Sequence, residues 1–358
     1  MIQELISRYK RMRTERFLRQ TYQYSYAFVG MGQHSLTNLY PVLHYLGVPL
    51  KYICVTSERK ARLIEHRFPG VKVTTSLDTI LRDDAVKGVF VSASPSAHFS
   101  IASQVLCSGK SLFVEKPPCQ TLEELDTLID LQRLYDSPVA MVGLQKRYAP
   151  AVQLLKQRLR KAHLISYDLH YLTGAYPEGN ALTDLFIHPL DLVCHLFGQP
   201  EILACQRPTG GSYLLMLRHP HIVGTLELST SYSWTAAEES LKVCTRSGLY
   251  RLNGMEKLTF TPSPSTIADI PMEKLHPHHK RVEYLCQNNN STPILANNQV
   301  YTQGYFGEIE AFVCQVENER AGTLARMGRR TLGMNGSPKV ATDLTSVRGT
   351  YELLGVML

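Results

Sequence analysis

Between Tyr26 and Gly143 short apolar runs alternate with amphipathic segments. YAFVG, Leu50–Val55, Val71–Thr74, GVFVSA, residues 111–114 and Val139–Gly143 read as strands. GVFVSA has no polar residue before Ser92, the pattern of a strand covered on both faces. Between these runs lie helix-like segments: NLYPVLHYLG closed by Gly47, Glu58–Phe68, Leu77–Leu81, 97–108 ended by Gly109, and 121–135. Regular alternation of the two predicts an α/β, Rossmann-type doubly wound parallel sheet. Right-handed crossovers then bring the strand C-termini, and a binding crevice, to one edge.

After about residue 163 the period becomes two. SYDLHYL, SYLLMLRH, VGTLELSTSYS, SLKVCTRSGLYRLN and KLTFT predict an open, mostly antiparallel sheet in a second, α+β domain. A helical insertion, LTDLFIHPLDLVCHLFG, precedes most of it and stops at Gly198 and Pro200. Residues 262–300, rich in Pro, His and Asn, carry no periodic signal, and two helices at 305–319 and 341–354 close the chain. At the other end, residues 2–20 read as a short basic helix with Ile2, Leu5, Ile6, Tyr9, Met12 and Phe17 near helical spacing. The expected division is a basic arm at 1–23, a dinucleotide-binding domain at 24–146, and a substrate and oligomerisation domain at 147–358.

Composition changes little in this picture. At 358 residues, with 44% hydrophobic and 19% charged positions, the chain can build two ordinary globular cores. No apolar run reaches the ~18 residues of a membrane span, and the N-terminal segment is too polar for a signal peptide, so no membrane association and a cytoplasmic location are expected. None of the eight cysteines falls in a C-x-x-C pair or a Cys/His cluster; reduced thiols and no metal site are expected. The net charge of +7 comes partly from Lys10, Arg11, Arg13, Arg16 and Arg19 and partly from Arg320, Arg326, Arg329 and Arg330. With no nucleic-acid motif beside it, this surplus fits a phosphorylated cofactor or substrate rather than nucleic acid.

Five constellations carry candidate chemistry. Gly30-Met31-Gly32-Gln33-His34-Ser35 lies between a strand and a helix. There the first glycine permits a sharp turn and the second a close backbone approach to a pyrophosphate, with Ser35 in place of the fingerprint's third glycine. The next strand ends in Thr56-Ser57-Glu58-Arg59-Lys60. Hydroxyls and cations there suit a 2′-phosphate and favour NADP, while Glu58 keeps NAD open. Ser94, Pro95 and His98 form a loop after the fourth strand, placed to touch the cofactor. Phe113-Val114-Glu115-Lys116-Pro117-Pro118 holds a lysine at a strand tip. The prolines delay helix formation, and burial beside a cationic ring would favour the neutral amine, which can exchange protons. Taken alone, Glu115–Lys116 is a surface ion pair. Finally, Asp184, His188, Asp191 and His195 share one helical face, on which Asp184 and His188 make a proton-handling pair. Pro189 requires that helix to start late or to kink.

In order and spacing these pieces resemble the Gfo/Idh/MocA family of glucose–fructose oxidoreductase and inositol dehydrogenase. The likeness is strongest in VKGVFVSASPSAHFSIASQVLCSGKSLFVEKPP, with GLQKRYAP and DLFIHPLD in support. It runs from Tyr26 to Tyr148 and through 180–198, and faintly through the last two helices. The resemblance implies that Lys116 exchanges a proton near the nicotinamide, and that Asp184 and His188 hold and deprotonate a substrate hydroxyl. It also implies reversible oxidation of a secondary alcohol on a sugar, cyclitol or related polyol. The EGNALTD lead, Phe186 and Pro189 depart from the family pattern. Two other readings use the same residues. One reduces an imine or a nucleotide-linked keto-sugar. The other is a catalytically silent cofactor-binding regulator or scaffold, against which the joint retention of Lys116, Asp184 and His188 speaks. The open sheet predicts a homodimer or homotetramer.

Overall fold

The computed structural model describes residues 2–18, 21–208, 210–267, 270–274, 281–288, 295, 298–320 and 341–357. Its first sheet contains β1 (Ser25–Val29), β2 (Leu50–Cys54), β3 (Lys72–Thr74), β4 (Val86–Val91), β5 (Ser111–Glu115) and β6 (Ala140–Gly143). The strands pair in the order β3-β2-β1-β4-β5-β6, all parallel. The order reverses between β1 and β4, so a crevice opens beyond their C-terminal ends. Helix α1 (Ile2–Leu18) precedes this sheet and leaves Ile2, Leu5, Ile6, Tyr9 and Met12 exposed.

Helices α2 (Tyr40–Leu46) and α3 (Glu58–Arg67) cover one face, while α5 (Pro95–Cys107) and α6 (Leu122–Leu134) cover the other; α4 (Leu77–Leu81) links β3 to β4. Covering on both faces is why β4 and β5 are almost wholly apolar: Val89, Phe90, Val91, Leu112, Phe113 and Val114 are all fully buried.

The second sheet contains β7 (Leu164–Leu172), β8 (Glu201–Gln206), β9 (Ser212–His219), β10 (Ile222–Ser229), β11 (Glu238–Thr245), β12 (Gly248–Asn253) and β13 (Lys257–Pro262). After a two-stranded ribbon of β14 (Thr266–Ile267) and β15 (Ile270–Pro271), β16 (Glu283–Gln287) completes it. The order is β16-β13-β12-β11-β7-β10-β9-β8. It is antiparallel except where β7 and β10 pair in parallel. SLKVCTRSGLYRLN is thus not one strand but the β11–β12 hairpin, turning at Arg246 and Ser247. Strand β9 alternates between buried and exposed positions. Its inner residues face α7 (Pro150–Leu159) and α8 (Ile187–Phe197), and its outer face carries Leu214 and Met216.

The short α9 (Gln299–Thr302) leads into α10 (Tyr305–Arg320), and α11 (Leu344–Met357) follows. A division at residue 147 puts α10 in the second domain, yet its apolar side lies on the first sheet. Phe312 meets the rings of Phe90 and Phe113 at 5.0 and 5.8 Å. Glu317 accepts from Tyr26 Oη at 3.0 Å. Arg326, Arg329 and Arg330 lie outside the described residues. Two cysteines are buried, five are intermediate and Cys107 is exposed; no disulfide joins the eight.

Candidate active site

The glycine-rich turn leaves β1 at Gly30, whose φ of +86° is left-handed. A Cβ there would meet Ser92 O at 2.3 Å, so the turn packs directly on the tip of β4. A Cβ on Gly32 would meet nothing within 4 Å, and its backbone faces open space. Ser35 fills the third-glycine position differently from a glycine: it is buried, and its Oγ donates to Ser92 Oγ at 2.9 Å. The chain then makes a π-helical turn, Ser35–Leu39, before α2. Gln33 and His34 are exposed at this edge.

At the tip of β2, Thr56, Ser57 and Arg59 are exposed. Ser57 caps α3, its Oγ accepting from Lys60 N at 3.4 Å. Glu58 accepts from Thr75 Oγ1 at 3.0 Å. Ser94 and Pro95 open α5 at an exposed corner. His98 is buried and is a clamp: its ring nitrogens reach Pro117 O at 2.7 Å and Ala93 O at 3.1 Å, tying the β4 and β5 loops together.

Lys116 follows β5, and its Nζ donates to Asp184 O at 2.6 Å. Burial lowers its pKa from the ordinary lysine value; Glu115 and Asp184 oppose the shift and Lys146 adds to it. Asp184 sits in a second π-helical turn, Leu182–Phe186, immediately before α8. Its carboxylate accepts from Thr183 Oγ1 at 3.2 Å and Tyr176 Oη at 3.4 Å, and it lies so near Gly179 that a Cβ there would come within 2.2 Å. Pro189 falls in the first turn of regular α8, directly after the π-helical turn of Leu182–Phe186. The helical run therefore begins before Pro189 and is irregular there, rather than starting late.

His188 is 8% exposed, and its Nδ1 is buried with no hydrogen-bond partner. Burial, then the charges of Lys116, Lys146 and His34, hold it well below the usual imidazole range, so the ring is neutral. Lys116, from the tip of β5, and Asp184 with His188, from the helical segment that opens α8, are thus brought to one place by two separate segments. Asp191 and His195, on the same helical face in the sequence, go elsewhere: Asp191 pairs with Arg147, and His195 lies 3.1 Å from Lys156 Nζ.

Several residues at the site are not among the candidate site residues that the sequence singles out. Lys146, inside GLQKRYAP, is buried, ion-pairs with Glu239 on β11 and lies 4.8 Å from the Tyr171 ring centroid. Tyr176 reaches Asp184 from an irregular loop. Tyr305 stacks edge-on to His34 at 5.6 Å and accepts from Gln145 Nε2 at 3.2 Å. Among the described residues no group of three or more acidic, His or Cys side chains could hold a metal ion, and no helix is long and apolar enough to cross a membrane.

Residues 24–143 match the GFO_IDH_MocA family, described as an oxidoreductase family with an NAD-binding Rossmann fold. An uncharacterized oxidoreductase of Schizosaccharomyces pombe is 34% identical over 193 residues, which are 49% of this chain and 52% of that protein. Inositol 2-dehydrogenase/D-chiro-inositol 3-dehydrogenase of Lacticaseibacillus casei is 29% identical over 129 residues, 34% of this chain and 37% of its own. The chain thus spans about half or less of the length of these curated relatives. A dehydrogenase of known structure from Chromobacterium violaceum superimposes with a TM-score of 0.75 at 20% identity, covering 94% of each chain. At that identity the likeness is one of fold.

Proposed function

Because residues 24–143 belong to the Gfo/Idh/MocA family of NAD-binding oxidoreductases, we propose that this chain is an NAD(P)-dependent dehydrogenase or reductase. Its substrate is the secondary alcohol or ketone of a sugar, cyclitol or nucleotide-sugar. The observation that carries the reading is the convergence of Lys116, Asp184 and His188 on one buried polar place at the strand edge.

A dinucleotide fits the residues present. Gly32 leaves open space where a pyrophosphate would approach the backbone, and Ser35 braces that turn on Ser92. When bound, the nicotinamide ring accepts or returns a hydride. Lys116 takes the hydroxyl proton, because burial leaves a larger share of it as free amine. The Asp184 carboxylate, steadied by Thr183 and Tyr176, receives a substrate hydroxyl. Neutral His188 accepts a hydrogen bond from the reacting hydroxyl, and holding that hydroxyl against the base contributes rate through orientation.

NADP is favoured over NAD. Glu58, the acid at the β2 tip, is engaged by Thr75, which leaves Thr56 and Arg59 exposed for a 2′-phosphate. Titration with NADPH and NADH, followed by fluorescence, tests this. Wild type should bind NADPH more tightly, and Arg59→Ala should weaken NADPH by roughly tenfold, the loss of one charge-assisted contact, while leaving NADH little changed. Equal effects on both nucleotides would refute the 2′-phosphate role; binding of neither would sink the enzyme reading and favour a scaffold.

The uncovered face of the second sheet bears Leu214, Met216 and Val223, at 44, 43 and 37% exposure, among polar neighbours. Such a face is covered in a dimer or tetramer. Light scattering at micromolar protein should give a mass of two or four chains; a monomer would contradict this.

A further inference from the structure

Glu308 lies in the first turn of α10, has no exposed surface, and neither of its carboxyl oxygens has a hydrogen-bond partner. Glu115, the residue before Lys116, is 5% exposed, and its Oε1 is likewise without a hydrogen bond. Two glycines allow the approach of their elements. The Glu115 carboxyl lies flat on β6 at Gly143, where a Cβ would meet it within 3.0 Å. From Gly143 the chain runs into the 145–148 turn, and α10 starts against that turn at Gly304, where a Cβ would strike Gln145 O.

A buried carboxylate without a donor or a counter-charge is strongly disfavoured, and such a group takes up a proton instead. The charged groups acting on Glu308 are themselves acids: Glu115 from β5 and Asp191 from α8. Asp191 is already engaged by Arg147. The phenols of Tyr148, on the 145–148 turn, and of Tyr305, on α10 itself, also face it. Burial first, and Glu115 next, push the Glu308 carboxyl well above the usual range, against the smaller opposing pull of the Leu144 backbone N–H. Basic groups face Glu115 instead: His34 Nε2 is 3.4 Å from its Oε1, and the charge of Glu115 favours the protonated form of Lys116. Neutral His98, buried between two carbonyls, is also close to it.

We propose that Glu308 is a carboxylic acid sharing a single proton with Glu115, and that this pair exchanges the proton with solvent through His34 in step with the charge on the nicotinamide. The inference rests on the cofactor reading above. His34 suits the exit: its side chain is 41% exposed, while its Nε2 faces Glu115. An oxidised nicotinamide is a cation, and placed near the pair it lowers the pair's proton affinity, so binding expels the proton. Oxidation of an alcohol then yields a hydride and a proton. The hydride would neutralise the ring, and the proton that Lys116 takes from the hydroxyl passes on to the pair, leaving the amine neutral again. Charge within the site is the same before and after: a doubly ionised pair beside a cationic ring becomes a singly ionised pair beside a neutral one.

Two measurements on the full chain decide this. In infrared difference spectra at neutral pH, the protein without nucleotide should show the carbonyl stretch of a protonated carboxylic acid. The band should vanish in Glu308→Gln and persist in Glu115→Gln. Its absence from wild type overturns the proposal, and that result needs no variant to fold. Calorimetric titrations with NADP+ and NADPH in two buffers of different ionisation enthalpy count the protons exchanged. More proton should be released with NADP+, and Glu308→Gln should abolish the difference. Equal counts for the two nucleotides in wild type overturn the coupling. Binding of neither overturns the cofactor reading and the coupling with it, while the infrared band still decides whether Glu308 is an acid.

Discussion

Lys116→Ala should lower kcat by roughly 10³-fold, within the range for loss of a positioned acid–base group, while the affinity for nucleotide changes only a few-fold. The asymmetry follows from where the amine points. Nζ is committed to the Asp184 carbonyl at 2.6 Å, whereas the pyrophosphate would be carried by a different segment, the turn at Gly30 and Gly32. Lys116→Arg should be just as inactive, because a guanidinium keeps its proton throughout the working range. The pH profile gives the sign. In the alcohol-oxidising direction the neutral amine is the base, so kcat should fall as pH drops through the lowered lysine pKa. In the reducing direction the ammonium is the acid, and the dependence reverses. Neither variant should retain this titration. Steady-state kinetics across pH, beside nucleotide titrations, check all of it; a Lys116→Ala enzyme with more than a tenth of wild-type kcat would remove Lys116 from the chemistry.

Asp191→Ala should cost about 3–5 kcal/mol of stability, the usual consequence of stranding a buried charge. Arg147 and Asp191 are 3 and 2% exposed and meet in a two-pronged pair at 2.8 and 2.5 Å. The guanidinium also donates to Ala341 O at 2.5 Å and Ser346 Oγ at 3.0 Å, and Asp191 accepts from Thr350 Oγ1 at 3.1 Å. One pair therefore joins the turn after β6, the helix that carries His188, and the C-terminal helix. Removing the carboxylate leaves the arginine buried and unneutralised. Replacing both partners, Arg147→Met with Asp191→Leu, should recover much of the loss, since the charge that needed a partner is gone. Chemical denaturation of the three variants tests this; a loss under about 1 kcal/mol for Asp191→Ala would mean that the pair is not what holds these elements.

The Asp191 result bears on how far a helical face can be read. Spacing alone groups residues 184, 188, 191 and 195, and it places Asp184 and His188 together as a pair. It does not say that Asp191 turns to an arginine 44 positions upstream, or that His195 turns to Lys156. Similarly, a buried position in α10 reads as one more polar residue in GEIEAF; only packing shows that Glu308 ends beside Glu115.

What the sequence determined by itself is everything set by local repetition and local backbone chemistry. The strand–helix alternation from Tyr26 to Gly143 is legible because each strand must be apolar on both faces and each helix on one. The turn at Gly30 is legible because its positive φ and its contact with Ser92 admit no side chain. Lys116 is legible because two prolines follow it at a strand tip. The tertiary structure alone decided the parallel pairing of β7 with β10 and the return of α10 to the first sheet. It also decided the partners of Lys146, Asp191 and Glu308. Those contacts join segments far apart in the chain, and no periodicity records them: a charged residue bound for the interior looks in sequence like one bound for water until the group that neutralises it, or fails to, is in place.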